Sequence, residues 1–416
     1  MQKRVPGTRD VLPEEALDWQ ELEEASREIF SLYNYKEIRT PLIENASLFN
    51  RSLGEGTEIV QKQMFLVKNK EELYALRPEG TASIVRAYIE NSLDKTAKFR
   101  KFYYFGPMFR LERPQKGRLR QFHHIGCEAV GSASADLDVE VIALAEGLLK
   151  AFAIKDYKIK INSLGSSSDK KELIALLSKR LKSQLSNLCA DCKVRFKNNI
   201  LRILDCKNDA CIKITSGLDI TDSYLCPQSR EHFSRVKEGL TALKINYEVA
   251  PYLVRGLDYY THTVFEIVHK ELGAQDALGA GGRYDNLVKE LGGPDLGAIG
   301  FAFGVERLLL VRNPQPTAHK KDLFYLITLG EEAKIEGLKL LEELRREGIS
   351  CDADYESKSL KGAMRAANDL NAGKVLIIGE NELNKGTVTL KDMASGEQRE
   401  ITRKDILTQI HTDKRI

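Results

Sequence analysis

The chain has 416 residues, of which 42% are hydrophobic and 30% charged, with a formal net charge of +3. This is the composition of an ordinary soluble globular protein, with length for two or three domains and no apolar run of the ~18 residues that a bilayer span needs. The first ten residues, MQKRVPGTRD, lack the apolar core of a signal peptide. A cytoplasmic location is therefore expected, and the seven cysteines should be reduced thiols or metal ligands.

Leu17, Leu22, Ala25, Ile29 and Phe30 recur at helical spacing and predict an amphipathic helix over 14–33. Tyr35 to Thr40 alternates like a strand and stops at Pro41. Residues 58–76 read as a strand pair turning near Lys68 to Glu72, and Arg77-Pro-Glu-Gly-Thr81 opens a helix running to about Asn91. Phe102 to Phe105 is an apolar, aromatic strand, and Pro114 and Gly117 break the chain into a loop. A second strand then runs from Arg120 to Gly126. Arg110, Arg113, Lys116, Arg118 and Arg120 stand there against one acid, Glu112. Guanidinium is planar, always charged and forked, so it suits bidentate contacts to phosphate. A solvated basic hairpin would explain the loop charges, but not Arg110 at the end of an apolar strand.

A helix over 136–153 and a strand over 157–162 follow. Residues from about 165 to 245 are mostly helical, rich in Lys and Ser, and hold five of the seven cysteines, which suggests an insertion between two halves of a sheet. Strands resume at 246–254 and 262–269, and the Gly-rich stretch 279–300 leads into a helix at about 304–312. Its Gly-Ala-Gly-Gly at 279–282 has neither P-loop nor dinucleotide-fingerprint spacing. Asn313-Pro-Gln-Pro-Thr317 reads as a linker. Beyond it, strands at 323–329, 349–355 and 374–379 alternate with helices at 331–346 and 359–370. A hairpin at 387–402 and a last helix from about Arg403 complete a small unit with a mixed, mainly parallel sheet. Residues 321–416 carry 16 Lys+Arg against 18 Asp+Glu, so RNA contact there must come from a local patch or from shape and base recognition.

Residues 103–128 resemble motif 2 of the class II aminoacyl-tRNA synthetases, in the form found in the histidyl-tRNA synthetase family. The segment from Leu253 to Glu266 (LVRGLDYYTHTVFE) and that from Leu278 to Leu287 (LGAGGRYDNL) resemble that family's two histidine signatures. The segment from Gly300 to Leu308 (GFAFGVERL) resembles motif 3, and the helix, strand and Pro41 near the N-terminus are similar to motif 1, the family's dimer interface. The resemblance implies an α+β class II catalytic domain, a mixed, mainly antiparallel sheet flanked by helices, over 1–320 with the insertion at about 165–245. It implies an α/β anticodon-binding domain over 321–416.

The activity it implies is attachment of L-histidine to tRNA(His) in a homodimer. ATP is a substrate accompanied by Mg²⁺, and there is no prosthetic group. A carboxylate must attack the α-phosphate while pyrophosphate leaves, so cations are needed around the phosphates and acids around the substrate ammonium. By resemblance Arg110 and Arg255 serve the α-phosphate, Arg307 the γ-phosphate, and Arg118 the β/γ-phosphates. Glu79 and Thr81 hold the ammonium, Glu128 and Tyr260 the two ring nitrogens, and Tyr259 and Tyr284 line the pocket. Arg113, Gln115 and Lys116 are expected on the tRNA acceptor end. Where the family has His-Gln this chain has His123-His124, so a ring nitrogen of His124 replaces an amide and its charge should depend on pH. The alternative within the fold is a synthetase-like regulatory subunit of histidine biosynthesis. Such subunits typically lack the C-terminal domain and motif residues that are present here.

Cys189-x2-Cys192 and Cys206-x4-Cys211 have spacings compatible with structural zinc. Buried free cysteine is also a common small hydrophobe. Reduced, metal-free packing is the favoured expectation, and no metal is assigned.

Overall fold

The structure is a computed structural model that describes residues 2–218, 220–273, 275–312, 323–356 and 358–413. The chain divides into two compact units, Met1–Pro314 and Gln315–Ile416. The linker expected at 313–317 and the 320/321 boundary lie outside the described residues. Among the described residues no helix is long and apolar enough to cross a membrane.

The first unit is built on an eight-stranded sheet. Its spatial order is Lys36–Glu37, Arg100–Phe109, Gln121–Val130, Ala298–Gly304, Ala277–Arg283, Thr261–His269, Tyr157–Ser163 and Tyr247–Val249. The outermost pairing at each end is parallel and the five between are antiparallel, as expected for this α+β fold. Side chains alternate across such a sheet with period two, which sorts the central strand. Ile125, Cys127 and Ala129 face a core that also holds Trp19, Leu22, Phe30, Ile142 and Leu148 from the helices Pro13–Leu32 and Ala135–Ala151. His124, Gly126 and Glu128 therefore point to the opposite face, where the helix Thr81–Glu90 and the inserted helices pack.

Local expectations hold for most long elements and fail for short ones. The strand expected over 35–40 is paired only at Lys36–Glu37, with Ile38 adding one amide bond to the Tyr103 carbonyl at 2.9 Å. That expected over 246–254 is three residues long, because Pro251 cannot donate to a ladder. The start of the expected strand pair at 58–76 is instead a π-helical turn, Ile59–Gln63, ahead of the hairpin Phe65–Asn69 and Glu72–Leu76. Leu17, placed on the apolar face of the first helix by its spacing, is 61% exposed. Among the described residues, four α-helices, Ser167–Leu181, Ala190–Asn198, Asp209–Ser216 and Pro227–Ala242, occupy the inserted region.

The second unit has a five-stranded sheet ordered Cys351–Ala353, Phe324–Thr328, Lys374–Ile378, Thr387–Asp392 and Gln398–Thr402. Two of its four pairings are parallel and two antiparallel, so the sheet is evenly mixed rather than mainly parallel. The C-terminal hairpin that supplies the antiparallel half continues the same sheet. The helix Glu380–Lys385, which the sequence pattern did not reveal, joins it to the parallel half.

A buried ion-pair network ties the first unit together. Arg283 is fully buried; its Nε donates to Asp138 Oδ1 at 2.6 Å and its Nη1 to Asp285 Oδ1 at 2.8 Å and the Ser132 carbonyl at 3.0 Å. Its Nη2 donates to the Ser134 carbonyl at 2.8 Å, and the second oxygen of Asp138 lies 2.7 Å from His232 Nε2 on the last inserted helix. Removing one partner of such a pair strands a buried charge, at about 3–5 kcal/mol. Arg283→Met is expected to destabilise the first unit by that amount in urea unfolding. Lys289→Met, which breaks the exposed pair to Asp295, should cost under about 1 kcal/mol. Equal losses would remove the network from its organising role.

Candidate active site

A cavity of about 500 Å³ opens on the face of the large sheet opposite the first helix. Its floor is made of small residues: Gly300, Ala302 and Gly304 lie opposite Glu128, Gly126 and His124 in the antiparallel ladder. Gly300 is required there, because a Cβ would sit 1.9 Å from Glu128 Oε2.

Four arginines, Arg110, Arg118, Arg255 and Arg307, make part of the lining cationic. Arg110 Nε donates to the Pro78 carbonyl at 2.9 Å, and its guanidinium carbon lies 5.3 Å from the centre of the Phe122 ring. Glu112 stands between two of these arginines, 3.9 Å from Arg110 Nη1 and 3.1 Å from Arg118 Nε. Arg255 Nη1 donates to Glu266 Oε1 at 2.6 Å, while its buried Nε has no protein partner. Arg307 is fixed by carbonyls, donating from Nε to Gly117 at 3.0 Å and from Nη1 to Gln275 at 2.8 Å and Ala277 at 2.5 Å. The cations are thus placed before any anion arrives, which is how a site stabilises developing charge without reorganising.

The other end is aromatic and acidic. Glu79, Thr81, Tyr104, His124, Tyr259, Tyr260 and Tyr284 line it. Glu79 caps the helix Thr81–Glu90, accepting from the amides of Thr81 at 2.5 Å and Ala82 at 2.9 Å. Burial raises its carboxyl above the ordinary range, and those amides oppose the shift. Glu128 lies just behind this wall. Its Oε1 accepts from the Thr81 hydroxyl at 2.7 Å and its Oε2 from the Tyr284 hydroxyl at 2.5 Å. Burial pushes this carboxyl up to about 8, against the pull of the two hydroxyls.

His124 behaves differently from expectation. Burial, reinforced by Arg110 and Arg77, drops its pKa to about 3, so the ring is neutral throughout the physiological range rather than pH-responsive. Its Nδ1 is buried without a protein partner, next to the Phe122 ring at 5.1 Å between centroids. The neighbouring His123 turns away: Nδ1 meets Glu306 Oε1 at 3.0 Å, and its amide also donates to that carboxylate.

The loop between the two arginine-bearing strands divides its charges. Gln115 and Arg118 exchange backbone bonds of 3.1 and 2.9 Å across a tight turn, with Gly117 at φ +70°. Arg118 turns into the cavity, and Arg113, Gln115 and Lys116 are exposed on the outside. Arg120, grouped with them by sequence, packs on the N-terminal segment, its amide bonding the Gly7 carbonyl at 2.7 Å and its Nη1 the Pro6 carbonyl at 3.2 Å. The bridging acids Glu112 and Glu266, the docking acid Glu306 and the lining residue Arg202 escaped the sequence reading. Glu112 was visible as the lone acid of the basic hairpin, whereas Arg202 carries no local signal.

A cationic wall facing a pocket of buried carboxyl, hydroxyl and imidazole groups defines a class: an enzyme that binds a polyphosphate beside a small polar substrate. The model of the family described as Histidyl-tRNA synthetase matches residues 7–308, and that described as Anticodon binding domain matches residues 324–412. The histidine–tRNA ligase of Halothermothrix orenii is 45% identical over 97% of both chains, and that of Thermosipho melanesiensis 46% over the same shares. The crystal structure of apo histidyl-tRNA synthetase from S. aureus superposes with a TM-score of 0.81 at 35% identity, covering 98% of this chain and 99% of that one. The chain belongs to the histidyl-tRNA synthetase family, the ligases that join histidine to tRNA.

The Glu128 carboxyl sets a pH dependence. Its folded pKa of about 8 lies above the ordinary 4.5, so between these values the folded state holds the extra proton. Stability of the ligand-free first unit therefore falls as pH rises from 4.5 towards 8 and levels off above, by a few kcal/mol in all. Glu128→Gln should flatten that slope in melting temperatures taken across the range. An unchanged slope would show that Glu128 does not carry the proton.

Proposed function

We propose that this chain activates L-histidine with ATP to histidyl-adenylate and passes the histidyl group to the 3′ end of tRNA(His). In the first step a histidine carboxylate oxygen attacks the α-phosphorus and pyrophosphate leaves. In the second a hydroxyl of the terminal ribose attacks the acyl carbon and AMP leaves. The observation that carries the reading is the set of four arginines lining one cavity, three of them anchored by Pro78, Glu266 and Gly117. Arg110 and Arg255 hold the α-phosphate, Arg307 the γ-phosphate, and Arg118 the β/γ-phosphates. Mg²⁺ would accompany ATP and supply charge neutralisation at the phosphates; Glu112 and Glu266 are among the lining carboxylates that would suit a hard cation.

Glu79 and Thr81 hold the substrate ammonium, with the unpartnered nitrogen of neutral His124 nearby. Glu128 and Tyr260 bond opposite nitrogens of the substrate ring, in a pocket closed by Tyr259 and Tyr284. Thr81 and Tyr284 leave each oxygen of Glu128 a further lone pair. A ring N–H arriving there favours the charged carboxylate, so histidine and proton compete for it. A pocket built on such bonds rejects an analogue lacking them by roughly 10⁴–10⁵, because its own polar groups would stay unpaired.

The regulatory-subunit reading is the rival. The likeness to an ATP phosphoribosyltransferase regulatory subunit/histidyl-tRNA synthetase from Bacillus halodurans, at 23% identity and a TM-score of 0.66, concerns the fold alone. Arg110, Arg255 and Arg307 lining one cavity and a second unit matching the anticodon-binding family favour the ligase. A cytoplasmic homodimer completes the proposal. Leu17 and Leu32 on the first helix and Leu42, Ile43, Leu66, Val67 and Leu73 on or beside a three-stranded sheet of Ile43–Asn45, Glu72–Leu76 and Phe65–Asn69 are 40–78% exposed, an apolar surface suited to a second copy.

Histidine-dependent ATP–pyrophosphate exchange tests the activity, and its absence in the folded chain would overturn the ligase reading. Arg255→Ala should lower exchange by about 10²–10³ with the melting temperature retained, since a preorganised cation at developing charge is lost. Near-normal exchange would reject the assignment. Alanine at Arg113, Gln115 and Lys116, outside the cavity, should impair aminoacylation far more than exchange; equal losses would mean the loop serves ATP.

A further inference from the structure

The inserted helices contain a feature that the ligase reaction does not use. Cys189, Cys192, Cys206 and Cys211 bring their four sulfurs within 4.8 Å of one another. All four are free thiols, and Cys192 and Cys211 are completely buried. The sequence spacing was compatible with zinc, but ordinary thiol packing was favoured, because buried free cysteine is a common small hydrophobe.

We propose that these four cysteines form a tetrahedral structural zinc site. Zinc–thiolate bonds are about 2.3 Å long, which places sulfurs at the corners of a tetrahedron roughly 3.8 Å on an edge. Cys189 and Cys206 lie 3.9 Å apart, far beyond a disulfide and close to that edge. The backbone is arranged for thiolates as well. Cys189 is the N-cap of the helix Ala190–Asn198, with its sulfur 3.5 Å from the Cys192 amide. The Cys189 amide points at the Cys211 sulfur at 3.3 Å, and the Asn208 amide at that of Cys206 at 3.5 Å. Cys192 and Cys211 each occupy the third position of a helix, so two helix N-termini converge on the cluster. Ordinary hydrophobic packing requires none of these N–H groups to face sulfur. A mononuclear site fits the compact set, and four soft thiolates select zinc over the harder cations.

The segment between the two Cys pairs gives the ion its role. Asn199 Nδ2 donates to Asp258 Oδ1 at 2.7 Å, and Arg202 Nη1 to the Gly256 carbonyl at 2.9 Å. These grips fall on either side of Leu257, just after Arg255, and Arg202 itself lines the catalytic cavity. A zinc ion clamping residues 189–211 would hold this segment against the signature that carries Arg255, Tyr259 and Tyr260. The cysteines are then positioning residues, acting on substrate binding through Asn199 and Arg202.

The test uses the full chain, expressed in zinc-containing medium and desalted. Elemental analysis should give about one zinc per chain, and Cys192→Ser and Cys211→Ser about none, while Cys351→Ser, outside the cluster, keeps its zinc. Replacement by Co²⁺ should give the d–d and thiolate charge-transfer bands of a tetrahedral tetrathiolate, a readout that does not depend on activity or on the variants folding. Stripping the metal should lower the first unit's melting temperature by on the order of 10 °C. It should also raise the KM for histidine or ATP more than it lowers kcat. Substoichiometric zinc with four thiols freely titrating in the native protein would overturn the proposal. So would iron in place of zinc, a disulfide within the cluster, or a cobalt protein without tetrahedral bands.

Discussion

Glu128 sits in the middle of the largest sheet with its oxygens bonded to the hydroxyls of Thr81 and Tyr284. Those two residues come from the first turn of the helix Thr81–Glu90 and from the end of the Gly-rich strand, so one carboxyl sets the distance between three elements. The floor opposite must be bare for this to happen, which is the reason for Gly300. Burial without a cation raises the carboxyl to about 8. The group is thus poised near neutrality and gains most from a ligand that brings an N–H to it.

The cationic wall follows another principle. Its arginines are not left to repel one another: Glu112 stands between Arg110 and Arg118, Glu266 holds Arg255, and three carbonyls hold Arg307. Each therefore keeps a fixed direction while most of its donors' charge remains available to a ligand. The two ends of the cavity balance each other, with charge concentrated where phosphate chemistry needs it. Neutral or nearly neutral groups (His124, Glu128 and the tyrosines) occupy the end where a small polar molecule must be recognised.

The scaffold beneath is braced by further buried contacts. Arg283 and Asp138 couple the Gly-rich strand to the helix Ala135–Ala151, and Asp138 extends the coupling through His232 to the last inserted helix. Glu306, at the start of the helix Val305–Val311, fixes the strand beside it by accepting from His123. The inserted region is thereby built into the catalytic wall, with Arg202 and Asn199 as its contacts there.

The sequence by itself determined the long helices, the strands on either side of the arginine loop and the cationic character of that loop. These are local properties of period, breakers and residue type, whereas the mainly antiparallel sheet and the residues expected at the cavity came from resemblance to a family. Only the tertiary structure decided the rest. Glu128 meets partners 47 and 156 positions away, and Arg283 meets Asp138 145 positions away. Arg120 and Arg118 look alike in sequence, yet one packs on the N-terminal segment and the other enters the cavity. His124 was read as pH-responsive from its side chain, whereas burial beside Arg110 and Arg77 keeps it neutral. Spacing showed two pairs of cysteines, but their meeting within 4.8 Å is a product of packing. Residue type fixes which interactions are possible; burial and the arrival of distant neighbours fix the charge each group carries, because the cost of a charge depends on the solvent and partners around it.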